Sequence, residues 1–163
     1  MKILLVSDTH KMTAKLKDEI LPKYANEIQM AIHLGDYAKD LFSLQSSYPN
    51  LQMVGVGGAF ESDEKSRRVL KIDTEAGIKR ILIMHGHTHR VKRDLSRIIE
   101  YAQEKNADAC FFGHTHASIT FTENGIFFMN PGSLTNPRDT IKGSIGLVSI
   151  SQTGEISGEV IFV

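Results

Sequence analysis

Apolar residues in this chain gather in short unbroken runs, and four of the runs stop abruptly at acidic or imidazole residues. Ile3-Leu-Leu-Val6 gives way to Ser-Asp8-Thr-His10, and Met30-Ala-Ile-His-Leu34 to Gly35-Asp36. Arg80-Ile-Leu-Ile-Met84 runs into His85-Gly-His87-Thr-His89, and Ala109-Cys-Phe-Phe112 into Gly113-His114-Thr-His116. Runs of this length bounded by turn-forming residues read as strands buried on both faces. Between the early runs the spacing changes to that of helices. Leu16 and Ile20 stand four apart within 13–20, before Pro22, and Leu41 and Leu44 share a face of 37–45, closed by Pro49. With a third strand at 51–56, the strand–helix–strand rhythm predicts a parallel sheet with right-handed crossovers.

Further on, 68–72 and 80–84 are placed to pair as antiparallel strands across Glu75-Ala-Gly77. The strongest helical stripe, Leu95, Ile98, Ile99 and Ala102, lies in 92–105 and precedes a strand at 108–112. Beyond residue 118 the pattern is all short strands and tight turns. Glu123-Asn-Gly125 separates one hairpin pair, at 119–122 and 126–129, and Thr153-Gly154 another, at 144–150 and 155–163. So many strands require a second sheet. The economical architecture is a four-layer α/β/β/α sandwich of two facing mixed sheets with helices outside, one domain spanning 1–163.

Composition narrows the partners. Nineteen Lys and Arg balance nineteen Asp and Glu, so no global field draws the chain to nucleic acid or anionic lipid. Basic pairs such as Lys92-Arg93 read as solvated faces. The single cysteine, Cys110, sits in an apolar run and reads as a core residue. The first apolar run is too short for a signal peptide and no run approaches a membrane span, so the cytoplasm is the expected location.

Each polar ending is weak evidence alone, but together they describe a site. All four follow a predicted strand, where α/β sheets place ligands. Carboxylates and imidazoles without thiolates suit Mn, Fe, Zn, Co or Ni. Spread over two ions, they are the makings of a dinuclear hydrolase, in which a carboxylate such as Asp36 bridges and bound water ionises near neutral pH. The glycines at 55, 57 and 58 fit neither a dinucleotide fingerprint nor a P-loop. Ser133 lacks a nucleophile elbow, so Pro131-Gly-Ser133 reads as a turn walling the site. His33 reads as a structural residue orienting a loop or Asp36, and His89 as an exposed one.

Asp8-x-His10, Gly35-Asp36, His85-Gly-His87 and Gly113-His114-x-His116, in that order, resemble the calcineurin-like metallophosphoesterase superfamily. The Asn130-Pro-Gly-Ser133-Leu segment and the short chain resemble its small bacterial and archaeal phosphodiesterase branch. The resemblance covers nearly the whole chain and implies the same α/β/β/α sandwich. It assigns Asp8, His10 and His116 to a first metal, Asp36 to a bridge, and His85 and His114 to a second metal. It implies two divalent ions, Mn foremost and Ni, Fe, Zn or Co as alternatives. The reaction it implies is hydrolysis of a small phosphate ester, a phosphodiester rather than a monoester, by a metal-bound hydroxide. His87 is the candidate for proton delivery, His87 and Arg138 for substrate contact, and a homo-oligomer is left open.

One stretch departs from the family pattern. Where the family has Gly-Asn-Cys-Asp or Gly-Asn-His-Asp, with Asn a ligand of the second metal, this chain reads Gly57-Gly58-Ala59-Phe60. Three outcomes are open: water in the missing position, Glu61 or Asp63 as substitute ligand, or a weak or empty second site. A Gly58→Asn change is expected to tighten the second ion. The rival reading is a scaffold, by comparison with the retromer subunit that has this fold and a degraded site.

Overall fold

The computed structural model describes residues 1–59 and 65–163. Two five-stranded mixed sheets face each other. The first has the order β10-β9-β1-β2-β3, from β1 (Lys2–Val6), β2 (Met30–His33), β3 (Gln52–Gly55), β9 (Ser144–Ile150) and β10 (Ile156–Phe162). The second has the order β4-β5-β6-β8-β7, from β4 (Arg67–Thr74), β5 (Gly77–Met84), β6 (Ala109–Phe112), β7 (Ser118–Glu123) and β8 (Ile126–Pro131). In the first sheet the parallel strands β1, β2 and β3 carry antiparallel β9 and β10 on the β1 side and leave β3 at the edge; in the second, parallel β5, β6 and β8 are flanked by antiparallel β4 and β7. The hairpin of β9 and β10 joins the first sheet, against β1, and not the second.

The period-2 geometry of strands explains why the apolar runs are continuous. Ile3, Leu5, Ile81, Ile83, Ala109 and Phe111 point into the layer between the sheets. Their neighbours Leu4 and Val6 point outward under the first helices. Leu82, Met84, Cys110 and Phe112 point outward under the helix Ser96–Glu104. Three apolar layers therefore separate four layers of secondary structure, as the sandwich requires.

The helices differ from expectation for local reasons. The first begins at Thr13, but it runs on past 20 through α1 (Thr13–Lys15), a π-helical stretch (Leu16–Ile20) and α2 (Leu21–Tyr24). Pro22 is accommodated in the first turn of α2, where its missing N–H matters least. The helix expected over 37–45 shrinks to α3 (Lys39–Phe42), because Asp36 and Tyr37 both adopt left-handed backbone, φ 51° and 78°. The helix expected from 92 starts later, as α4 (Ser96–Glu104), where Asp94 accepts the Ser96 backbone N–H at 3.1 Å. Among the described residues no helix is long and apolar enough to cross a membrane.

Phe111 is fully buried in the layer between the sheets. Phe111→Ala should cost about 3–5 kcal/mol, whereas Phe162→Ala, at an edge strand, should cost under about 1. Urea unfolding of both variants checks the contrast; equal losses would contradict this placement of the core.

Candidate metal centre

Among the described residues, every candidate ligand stands just past the C-terminal end of a parallel strand. Asp8 and His10 follow β1, Asp36 follows β2, His85 follows β5, and His114 and His116 follow β6. The two sheets deliver these ends to one edge of the sandwich, where the side chains form two groups. Asp8, His10, Asp36 and His116 offer ligand atoms within 4.8 Å of one another, and so do Asp36, His85 and His114. Asp36 belongs to both.

The backbone is distorted to achieve this. Asp8, His10, Asp36, His114 and His116 all have positive φ, between 48° and 69°, and only His85 of the six does not. Such a conformation is uncommon outside glycine and costs of order 1–3 kcal/mol per residue. Close approach is the second device. Gly35 has φ 101°, and a Cβ there would fall 2.5 Å from His85 Nδ1, so the imidazole lies against bare backbone.

Hydrogen bonds on the far side of each ring fix which nitrogen faces inward. His85 Nδ1 donates to the Leu34 carbonyl at 2.8 Å, and His116 Nδ1 to the Asn136 carbonyl at 2.8 Å. A neutral imidazole then directs its Nε2 lone pair into the site. His85 Nε2 stands 3.5 Å from Asp36 Oδ1 and 3.1 Å from His114 Nδ1. His116 Nε2 stands 3.2 Å from Asp8 Oδ1 and 3.4 Å from His10 Nε2. Asp8 Oδ2 is fully occupied, accepting from Ser7 Oγ and from the His114 N–H at 3.1 Å. Its partner Oδ1 is buried with no hydrogen bond. Oδ1 and His116 Nε2 are close enough to bias each other's protonation but are not aligned to bond. Lone pairs and carboxylate oxygens facing one another in a buried corner call for positive charge between them. A divalent cation fits this donor set of oxygen and nitrogen without sulfur.

The protonation equilibria tell the same story. Burial works against ionising Asp8 and Asp36, yet both are held below the ordinary carboxylate value. His116, His85 and Ser7 do this for Asp8; His85, the Ala59 N–H and His10 do it for Asp36. Burial also opposes charge on His85, but Asp36 and Asp8 raise its pKa. The contact with Asp8 raises that of His116. Burial, the His85 charge and Lys92 push His114 down to about 4.

The Gly58 position departs from expectation. A Cβ there would fall 2.3 Å from the Asp36 backbone N and 2.6 Å from its Cα, so the chain presses against Asp36 as bare backbone. The next residue, Ala59, donates its N–H to Asp36 Oδ1 at 2.9 Å. Gly58→Asn therefore has no room for its side chain unless the loop after β3 or Asp36 moves, and the expectation that it would simply tighten the second ion fails on sterics. The second group keeps three donors among the described residues. Glu61 and Asp63 lie outside the described residues.

His87 is half-buried beside the second group, its ring 5.3 Å from that of His85 and 6.0 Å from that of His114. His89 turns away and packs on Tyr101 of α4, ring centroids 4.7 Å apart, so it is neither a ligand nor fully exposed. Arg138 is exposed; its backbone N–H donates to the His116 carbonyl at 2.9 Å, and its charge opposes that on His116. Ser133 is buried and donates to the Asp8 carbonyl at 2.9 Å, which makes it a brace.

Sequence reasoning missed the anchors of the Asp8–Lys11 loop. Thr135 donates to the carbonyls of Asp8 and Thr9. Asp40, buried on α3, accepts from the Thr9 hydroxyl at 2.6 Å and from the Lys11 N–H at 2.9 Å. The only signal for Asp40 was an acidic residue one helical turn after Asp36. Fully buried His33 accepts the Gly35 N–H on Nδ1 and therefore donates from Nε2 to Thr9 Oγ1 at 3.0 Å. It joins the loops after β1 and β2, in the structural role expected of it.

With sheet order, strand-end ligands and shared carboxylate in place, the class of protein is defined. The chain belongs to the calcineurin-like phosphoesterase superfamily, whose domain model matches residues 1–153. It is similar to the probable metallophosphoesterase YsnB of Bacillus subtilis, 33% identical over 141 residues that cover 85% of this chain and 78% of that protein. Among solved structures it resembles the zinc complex of Vps29 from Entamoeba histolytica, with TM-score 0.74 and 22% identity over 99% of both chains. It also resembles an archaeal phosphodiesterase, with TM-score 0.72 and 19% identity over 99% of this chain and 100% of that one.

Buried His33 makes the stability of the fold depend on pH. Burial lowers its pKa from 6.5 to about 4, so the unfolded chain takes up a proton that the native protein refuses. The unfolded state binds more protons between these values, so stability falls as pH is lowered from 6.5 towards 4, by about 3 kcal/mol across the window. His33→Gln, compared with the parent by urea unfolding in chelator, should lose that much less on acidification. Parallel pH profiles would contradict the buried neutral ring.

Proposed function

We propose that this chain is a metal-dependent phosphodiesterase. Asp8, His10, Asp36 and His116 hold one divalent cation, and Asp36, His85 and His114 hold a second more weakly. The observation that carries the reading is the single carboxylate of Asp36 common to both groups. Bound there, two divalent cations supply Lewis-acid charge and a water that ionises near neutral pH. Mn is the first choice on the family resemblance, and the four imidazoles suit Fe, Zn, Co or Ni as alternatives.

The chain's own residues set the geometry. The Leu34 and Asn136 carbonyls hold His85 and His116 as inward-facing donors. Asp40, Ser133 and Thr135 hold the left-handed turn that presents Asp8 and His10. His87 stands beside the second group, where a protonated imidazole can deliver its proton to the departing alcohol oxygen. Arg138 stands beside His116, where a guanidinium can meet a non-bridging phosphate oxygen. Similarity to the archaeal phosphodiesterase supports a diester, and the absence of a global basic field supports a small substrate.

A scaffold is the second reading. It is favoured by the bare backbone at Gly58 and by similarity to Vps29. Metal binding alone does not separate the two, since the resembling Vps29 structure is itself a zinc complex. Catalysis does. Hydrolysis of bis(4-nitrophenyl) phosphate should depend on added Mn, and Asp36→Asn should reduce kcat/KM by at least the roughly 100-fold typical of losing a strong outer partner of a metal ligand. No turnover with any of the five metals, by folded metal-loaded protein, would establish the scaffold.

A further inference from the structure

A cavity of about 380 Å³ opens between the edge strand of each sheet, β3 on one side and β4 on the other. Its floor is apolar. A Cβ at Gly55 would stand 2.9 Å from Ala38 Cβ and 3.0 Å from Phe42 Cζ, so the phenyl ring lies against bare backbone. Phe42 nevertheless keeps 43% of its surface exposed. Among the described residues its rim is cationic: Lys39, Lys65, Arg67 and Arg68 all line it and all are exposed, and no described acidic residue does. Among the described residues none of these four pairs with a carboxylate. Arg67 is partly engaged, its guanidinium 5.8 Å from the Tyr101 ring centroid. In a chain of zero net charge, four exposed cations around one concavity are a local feature that composition averages away.

The cavity adjoins the candidate metal centre on two sides. Ala38 follows Asp36 by two residues, and the Gly57 N–H donates to the Lys65 carbonyl just before the backbone presses on Asp36 at Gly58. Ser66, between Lys65 and Arg67, accepts the His85 N–H on its carbonyl at 2.8 Å. The walls of the cavity are thus tied through backbone to the segments that carry Asp36 and His85.

We propose that this cavity is the subsite for the non-reacting part of the substrate, and that this part is a flat apolar body bearing a further anionic group such as a phosphate. The apolar floor takes the body, with a volume in the usual range for small-ligand pockets. The rim takes the anion by charge-assisted hydrogen bonds. The proposal rests on the phosphodiesterase reading and narrows it: the substrate is a polyanionic diester, not a neutral-bodied one.

The test uses a matched pair of probes with the Mn-loaded protein: thymidine 5′-(4-nitrophenyl phosphate) and the same compound carrying a 3′-phosphate. The 3′-phosphate should raise kcat/KM roughly tenfold, the worth of one hydrogen bond to a charged group. Lys39→Ala/Arg68→Ala, at exposed positions, should bring the ratio close to one, while Arg93→Ala, remote from the cavity, should retain it. A ratio near one in the parent protein, or one that survives the double substitution, would overturn the proposal. If neither probe nor bis(4-nitrophenyl) phosphate is turned over, the phosphodiesterase reading fails by itself, and calorimetry with thymidine 3′,5′-bisphosphate decides the cavity. Binding weakened roughly tenfold by Lys39→Ala/Arg68→Ala supports the subsite, and equal binding overturns it.

Discussion

At one edge of the sandwich, imidazole lone pairs and carboxylate oxygens are held facing one another. His85 Nε2 faces Asp36, His116 Nε2 faces Asp8, and the bonds that orient both rings come from backbone carbonyls behind them. No rearrangement of these side chains alone satisfies all of them. Either protons or cations must enter. Most irregularities elsewhere in the molecule follow from holding this corner together. Helix α3 starts late because Asp36 and Tyr37 are left-handed. Gly35 and Gly58 are bare because His85 and Asp36 occupy the space where a Cβ would go. Asp40 is buried because the Asp8–Lys11 turn has N–H and hydroxyl groups to satisfy.

The sandwich supplies the rigidity this requires. Five left-handed non-glycine residues at one site represent several kcal/mol of strain. They persist because each follows a strand buried on both faces, whose register is fixed by apolar layers above and below. The braces are local and polar: Ser133 and Thr135 on the Asp8 carbonyl, Asn130 on the Gly113 carbonyl, His33 between the loops after β1 and β2. Strand ends position the site and side-chain hydrogen bonds set its final geometry.

What was legible in the sequence was what repeats along it. The four polar endings, the strands ahead of them and the two-sheet architecture follow from local pattern, because a strand buried on both faces must be apolar throughout. Sheet membership of β9 and β10 did not follow, since a hairpin signal says which strands pair but not which sheet they join. Asp40 and Thr135 were invisible because their importance lies in partners far away in sequence. Gly58 shows the limit most clearly. Read as a sequence it is a missing side chain; in the fold it is a close backbone contact with the carboxylate that both groups share. The cationic rim around Phe42 was likewise hidden, since Lys39 on α3 and Arg68 on β4 are far apart in sequence and are balanced by acidic residues elsewhere in the net charge.

In the proposed site Asp36 bridges two ions. The most direct measurement is the manganese anomalous signal in a crystal grown with that metal. Two peaks roughly 3.5–4 Å apart, both in contact with Asp36 and the second the weaker, are predicted. A single peak, or a pair without Asp36 between them, would contradict the account.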